Sequence, residues 1–149
     1  MGQKVLVTVF ILLGWLSLAH GQSRKMQWVD SVFNRLGEEE KIGQMFMVTV
    51  PSHASPDAIR RIENEIKTHE IGGVIFQQET PYHQASATNR MQGISKIPLF
   101  VGQDAEWGLG QMIDSTISFP RSLVLGAIKN DSTIYRMGKE TARQMKMVG

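Results

Sequence analysis

The 149-residue chain contains no cysteine. That absence excludes thiol nucleophiles, disulfide frameworks and zinc–thiolate centres, although it does not fix a redox compartment. Charge of one sign is also lacking: 16 basic residues face 14 acidic ones, a formal net of +2, with no Lys/Arg-rich run. A nucleic-acid partner is therefore not expected. Aromatics are 7% of the chain and prolines number five. There is no heptad pattern, collagen period or low-complexity tract. No phosphate loop, serine elbow or HExxH metal motif occurs. The remainder, 42% apolar and 20% charged, is the composition of a globular protein.

The one long apolar run lies at the start. Lys4 precedes Val5 to Leu18, which is broken only by Thr8, Gly14 and Ser17, and Ala19-His20-Gly21 comes next with small residues at the two positions a signal peptidase reads. The run is shorter than the roughly 20 residues of a spanning helix. Residues 1–21 are expected to be a secretory signal peptide cleaved before Gln22. The mature protein is then exported, periplasmic or secreted, with no stable membrane span.

Beyond it, elements alternate. Met26, Val29, Phe33 and Leu36 repeat at helical spacing up to Gly37, so residues 22–37 predict an N-terminal amphipathic helix. Glu38-Glu39-Glu40 opens a short helical segment that leads into the apolar run 45–50, stopped by Pro51. Ser55-Pro56-Asp57 reads as a helix start, with Ile59, Ile62 and Ile66 as its stripe. A second apolar strand is expected at 71–76. A third helix is expected from Pro81 to Gln92, with Tyr82, Ala85 and Met91 as its apolar positions. A third strand is expected at 97–102, then a long loop from Ala105 to Pro120. A last helix starts near Asn130 or Asp131, with Ile134, Met137, Thr141, Met145 and Val148 facing inward. The strands are apolar throughout rather than alternating, as in a parallel sheet covered on both faces. The class is α/β. The pattern alone does not separate a doubly wound sheet from part of a (β/α)8 barrel.

In either architecture ligands meet the C-terminal ends of the strands. Those ends carry Ser52 and His53 after the first strand, Gln77-Gln78-Glu79 after the second, and Gln103-Asp104-Ala105-Glu106-Trp107 after the third. The last group is the richest. A carboxylate can accept bonds from two adjacent sugar hydroxyls, and an indole face can pack on a sugar's C–H face. Asp104 and Glu106 also suit an acid/base pair or a metal. Equally, Asp104 can end a strand, Glu106 can bond loop amides and Trp107 can be core. Gly108-Leu109-Gly110 lacks the third glycine of a dinucleotide loop, Ile113 standing there. His53, His69 and His83 have no metal-ligand spacing. Asn130-Asp131-Ser132 fits a glycosylation acceptor and, equally, a helix cap.

Four segments together resemble the N-terminal part of glycoside hydrolase family 3, nearest its bacterial β-N-acetylhexosaminidase branch. Residues 39–46 (EEKIGQMF) look like the family's EEKIGQ-type opening. Residues 71–76 (IGGVIF) look like its GIGGVI-type strand. Residues 97–108 (IPLFVGQDAEWG) look like its IPLLIGxDxEGG segment. Phe119-Pro120 with 123–127, and the helix ending at Gly149, resemble the stretch next along the family's chain. The resemblance covers 38–149 and implies the first three βα units of a (β/α)8 barrel, incomplete at this length, since such a barrel takes about 250 residues. It implies retaining hydrolysis of β-linked sugars, an amino-sugar glycan such as cell-wall fragments as carbohydrate partner, and no metal or organic cofactor.

Residue by residue, Asp104 matches the family aspartate that binds hydroxyls of the sugar in the cleaved subsite. Glu106 matches the next family acid, with a loop-organising role. Trp107 departs from the family's Gly and can itself line the substrate site. Leu109 departs from its Arg. The nucleophilic Asp and the acid/base His of the branch lie on later segments, beyond Gly149, so no catalytic residue is assigned within the chain. Two further readings stand beside this one: a β-glucosidase of the same family, and a non-catalytic truncated sugar-binding remnant.

Overall fold

The computed structural model describes residues 24–149. The expected signal peptide, 1–21, lies outside the described residues. The described residues divide into two units, 24–37 and 38–149. In the first, α1 is Arg24–Phe33. It ends before the expected Gly37, and none of its residues is buried; the apolar stripe Met26, Val29 and Phe33 is exposed.

The second unit runs α2 (Glu38–Gly43), β1 (Met47–Val50), α3 (Pro56–His69), β2 (Gly73–Phe76), α4 (Pro81–Ile94), β3 (Phe100–Gln103), a 3-10 turn (Leu109–Gln111), α5 (Ser122–Leu125) and α6 (Asp131–Val148). No described helix is long and apolar enough to cross a membrane. The strands form one parallel sheet in sequence order, β1-β2-β3. Met47, Gly73 and Phe100 share one row; Val50, Phe76 and Gln103 share another.

Each strand starts later than the apolar runs suggest, because nearby groups claim the first backbone bonds. Met45 and Phe46 N–H groups close the last turn of α2 on Ile42 and Gly43. The Gln92 side chain brackets Leu99, donating to its carbonyl and accepting from its N–H, both at 2.9 Å. Only Phe100 then joins β2, through Gly72 O. Gly73 is needed at this edge: a Cβ there would lie 2.5 Å from Phe100 O.

Alternation along the strands sends Val50, Val74 and Phe76 to one face, where they pack with Ile62 and Ile66 of α3 and Met91 of α4. The opposite face is uncovered: Met47, Thr49 and Phe100 are exposed, and only central β2 is largely buried. Burial on both faces is thus not met for β1 and β3. This arrangement, strands in sequence order with a helical core on one side, is a segment of barrel wall: three successive units of a (β/α)8 barrel, incomplete because three strands do not close. It answers the choice that periodicity left open.

The helices obey their end signals. Ser55 Oγ caps α3 by accepting from Ala58 N–H at 3.3 Å, with Pro56 in the first turn. Glu70, left-handed at φ 49°, ends it. Thr80 caps α4 through His83 N–H, and Asn130 caps α6 through Ser132 N–H at 3.0 Å. The expected inner face of α6 is met, with Val148 buried and Ile134, Met137, Thr141 and Met145 half-buried. That of α4 is not. Its buried residues are Gln84, Thr88 and Met91, whereas Tyr82 is exposed. Polar groups on this face are partnered in part: Thr88 Oγ1 donates to Val148 O, and Gln84 Nε2 to Gln103 Oε1, while Gln84 Oε1 stays unpaired.

This packing makes the core and the α6 ion pair testable. Ile66→Ala, at the centre of the core, should lower unfolding free energy by about 2–5 kcal/mol in urea titrations. On α6, the Arg143 guanidinium, with Gln144, lowers the Glu140 pKa from an ordinary 4.5 to about 2. A depressed carboxyl pKa contributes stability above its unfolded value that is lost as pH falls through the folded one. The stability gap between wild type and Glu140→Gln should be full above pH 4.5 and close towards pH 2; a gap independent of pH would contradict the pairing.

Candidate functional site

The C-terminal ends of the three strands open on one side of the sheet, and their loops are stitched to one another. His53 N–H donates to Gln78 O at 3.0 Å, and Gln77 N–H to Val50 O, tying the β1 and β2 ends. Glu79 N–H donates to Met112 O and Asp114 N–H to Glu79 O, tying the β2 end to the loop after β3. Gln78 Nε2 adds a bond to Asp114.

Glu79 is the hub of this arrangement. Its side chain is buried and accepts from Thr80 N–H at 2.8 Å. His83 Nδ1 and His53 Nδ1 stand 3.4 Å and 3.7 Å from the same carboxylate oxygen. The sequence shows Glu79 only as one of three polar residues closing a strand. The histidines carry no motif, and only the chain crossing between units brings them together. Both histidine side chains are mostly exposed. Among the described residues no cluster of His, Asp or Glu is arranged to hold a metal.

The loop after β3 is irregular in outline, as expected, yet well packed. Leu109 and Ile113 are fully buried and form a second core with Val148, Ala105 and Met145. Residues in an aperiodic loop carry no spacing signal, so sequence reading does not find them. Leu109 stands where the family-type pattern has an arginine, and its burial accounts for an apolar side chain there. Gly110 N–H donates to Ile117 O and Phe119 N–H to Trp107 O at 2.7 Å, closing the loop on itself. Gly108 makes that closure possible. Its φ is +89°, and a Cβ would lie 2.7 Å from the Phe119 ring and 2.8 Å from Ile117 O.

The three candidate residues sit differently in this frame. Asp104 is exposed immediately past β3, and among the described residues nothing hydrogen-bonds or pairs with its carboxylate. Glu106 is exposed too. Its backbone N–H, not its carboxylate, enters the loop network, donating to Gln111 Oε1 at 2.7 Å. Trp107 is half-buried, and the Arg121 guanidinium lies 4.7 Å from its ring centroid. A cation stacked on one indole face pins the ring and leaves the other face or the edge for a ligand. The same loop therefore carries a free carboxylate and, three residues on, a pinned aromatic plane, a combination that suits a polyhydroxylated, uncharged ligand.

Comparison with known proteins identifies the family and the fold. The sequence model described as "Glycosyl hydrolase family 3 N terminal domain" matches residues 38–149. A curated relative from Cellulomonas fimi, a "Beta-N-acetylglucosaminidase/beta-glucosidase", is 23% identical over 123 residues, covering 82% of this chain and 21% of that protein. A solved structure of a beta-glucoside phosphorylase (BglX bound to 2FGlc) superposes with a TM-score of 0.68 at 21% identity, over 80% of this chain and 21% of that one. At that identity the likeness shows the fold. The chain spans about a fifth of the length of these two proteins.

Gly108→Ala should destabilise the protein by at least about 1 kcal/mol, because it combines a left-handed backbone with a steric overlap. Urea unfolding monitored by tryptophan fluorescence checks this; wild-type stability would contradict so close an approach of Phe119.

Proposed function

The chain belongs to glycosyl hydrolase family 3, and on that premise we propose that it forms one wall of the sugar site of an exported glycosidase. The enzyme removes β-linked N-acetylhexosamine residues from glycans with retention of configuration. The observation that carries this reading is the exposed, unpartnered carboxylate of Asp104 just past β3, three residues before the Arg121-stacked Trp107.

In this reading Asp104 accepts hydrogen bonds from two neighbouring sugar hydroxyls. Bonds to a charged acceptor are worth about 1.5–3 kcal/mol each. Bonds to hydroxyls near the reacting carbon strengthen as the sugar flattens towards the oxocarbenium-like transition state. Trp107, held from one side by Arg121, packs on the sugar ring. Glu106 organises the loop through its backbone bond to Gln111. Asp104 is not the nucleophile. Retaining hydrolysis needs a nucleophile and an acid/base about 5 Å apart, and both are assigned to segments beyond residue 149. Export rests on the charged, apolar and small-residue order of residues 1–21.

A β-glucosidase is the second reading, favoured by the double name of the Cellulomonas fimi relative. The acetamido group of the substrate separates the two. Rates on 4-nitrophenyl N-acetyl-β-glucosaminide and 4-nitrophenyl β-glucoside should favour the former in the complete enzyme carrying this chain; preference for the glucoside selects the second reading. Asp104→Ala in that enzyme should lower kcat/KM by roughly a hundredfold or more, since each 1.4 kcal/mol is tenfold. Wild-type turnover would reject the role given to Asp104. Hydrolysis of either substrate by the 149-residue chain alone would reject the assignment of the reacting groups to later segments.

A further inference from the structure

Next to Asp104 in the chain, Gln103 joins the buried Gln84 in a part-buried carboxamide pair that core packing does not account for. Gln84 of α4 is 1% exposed and is one of the three buried residues of that helix, with Thr88 and Met91, where an apolar side chain would ordinarily stand. Its Nε2 donates to Gln103 Oε1 at 3.3 Å. Gln84 Oε1 and Gln103 Nε2 are both buried without a hydrogen-bond partner. Buried polar groups are normally satisfied, so a pair that retains two unmet atoms calls for a reason other than stability.

The position of Gln103 supplies one. It is the last residue of β3, paired in register with Phe76, and Asp104 comes directly after it. Alternation along the strand turns Gln103 towards α4 and, one residue on, Asp104 towards the opposite side. A directional bond on Gln103 therefore fixes the rotation of the strand end from which the Asp104 carboxylate projects. An apolar contact between α4 and β3 would bury as much surface but would leave that end free to turn.

We propose that Gln84, through its hydrogen bond to Gln103, is a positioning residue that aims the Asp104 carboxylate at the sugar. The proposal rests on the hydroxyl-binding role of Asp104 in the proposed function. Gln84 touches no substrate; it acts on binding geometry from the helix layer.

The test is a double-mutant cycle in the complete enzyme, with 4-nitrophenyl N-acetyl-β-glucosaminide and 4-nitrophenyl β-glucoside as probes. Gln84→Met keeps the side-chain length; it removes one unmet atom, Gln84 Oε1, and leaves Gln103 Oε1 without its donor, so thermal stability should fall by no more than the loss of a single hydrogen bond. kcat/KM should nevertheless fall at least tenfold, with the rise in KM exceeding the fall in kcat. Gln103→Met, which removes the other partner, should have the same effect. In an Asp104→Ala background Gln84→Met should cost less than twofold more, because there is no carboxylate left to aim. If Asp104→Ala is severely impaired while Gln84→Met and Gln103→Met keep wild-type kinetics, the positioning role is overturned and the role of Asp104 stands. Full additivity of Gln84→Met with Asp104→Ala also overturns it. If Asp104→Ala itself has wild-type kinetics, the reading of Asp104 fails and this inference fails with it.

Discussion

Burial of one face of the sheet is the constraint on which the rest of the molecule depends. Val50, Val74 and Phe76 lose nearly all contact with water beneath Ile62, Ile66 and Met91. Each such side chain contributes about 1.5–3 kcal/mol by leaving water. Because side chains alternate along a strand, a slip of one residue would move the whole row to the uncovered face. The apolar row thus sets strand register, and register sets which loop residues stand together past the strand ends.

From that register the site is assembled by backbone bonds rather than by ionic attraction. Bonds between strand ends and loops join His53 to Gln78 and Glu79 to the Met112–Asp114 segment. The loop after β3 is anchored from below by Leu109 and Ile113, which share a second core with the end of α6. Gly108 lets the same loop fold back on Phe119. Asp104 and Trp107 are therefore carried on a stiff support, although both belong to an aperiodic stretch. Such a support matters for the sugar recognition proposed for Asp104, since misdirected hydrogen-bond acceptors lose most of their value.

Polar groups do more of the internal work than composition suggests. α4 turns Gln84 and Thr88 inward, and α4 meets β3 through paired Gln92 bonds to Leu99. Elsewhere the buried Glu70 carboxylate pairs with Lys96 and raises the lysine pKa, while Glu40 also reaches Lys96 at 3.5 Å. These bonds lie at the junctions of successive βα units, where apolar contact alone would allow sliding.

Much of this was legible in the residues themselves. Capping signals at Ser55 and Asn130, the isoleucine stripe of α3 and three apolar runs define the order of elements, because each is a local preference of the backbone or a fixed periodicity. The stretch from Gln103 to Trp107 was recognisable as a strand end and the polar segment that follows it. Other features are non-local. The choice between a doubly wound sheet and a barrel wall depends on which face the helices cover, and helix and strand signals do not carry that. The inward turn of Gln84, the burial of Leu109 and Ile113, the gathering of His53 and His83 on Glu79, and the stacking of Arg121 on Trp107 each join residues through tertiary packing. Local sequence determined the elements and their ends, because backbone propensity and side-chain period act over a few residues. Tertiary structure alone decided which polar groups meet and which face stays open, because those outcomes depend on how separate elements close against one another.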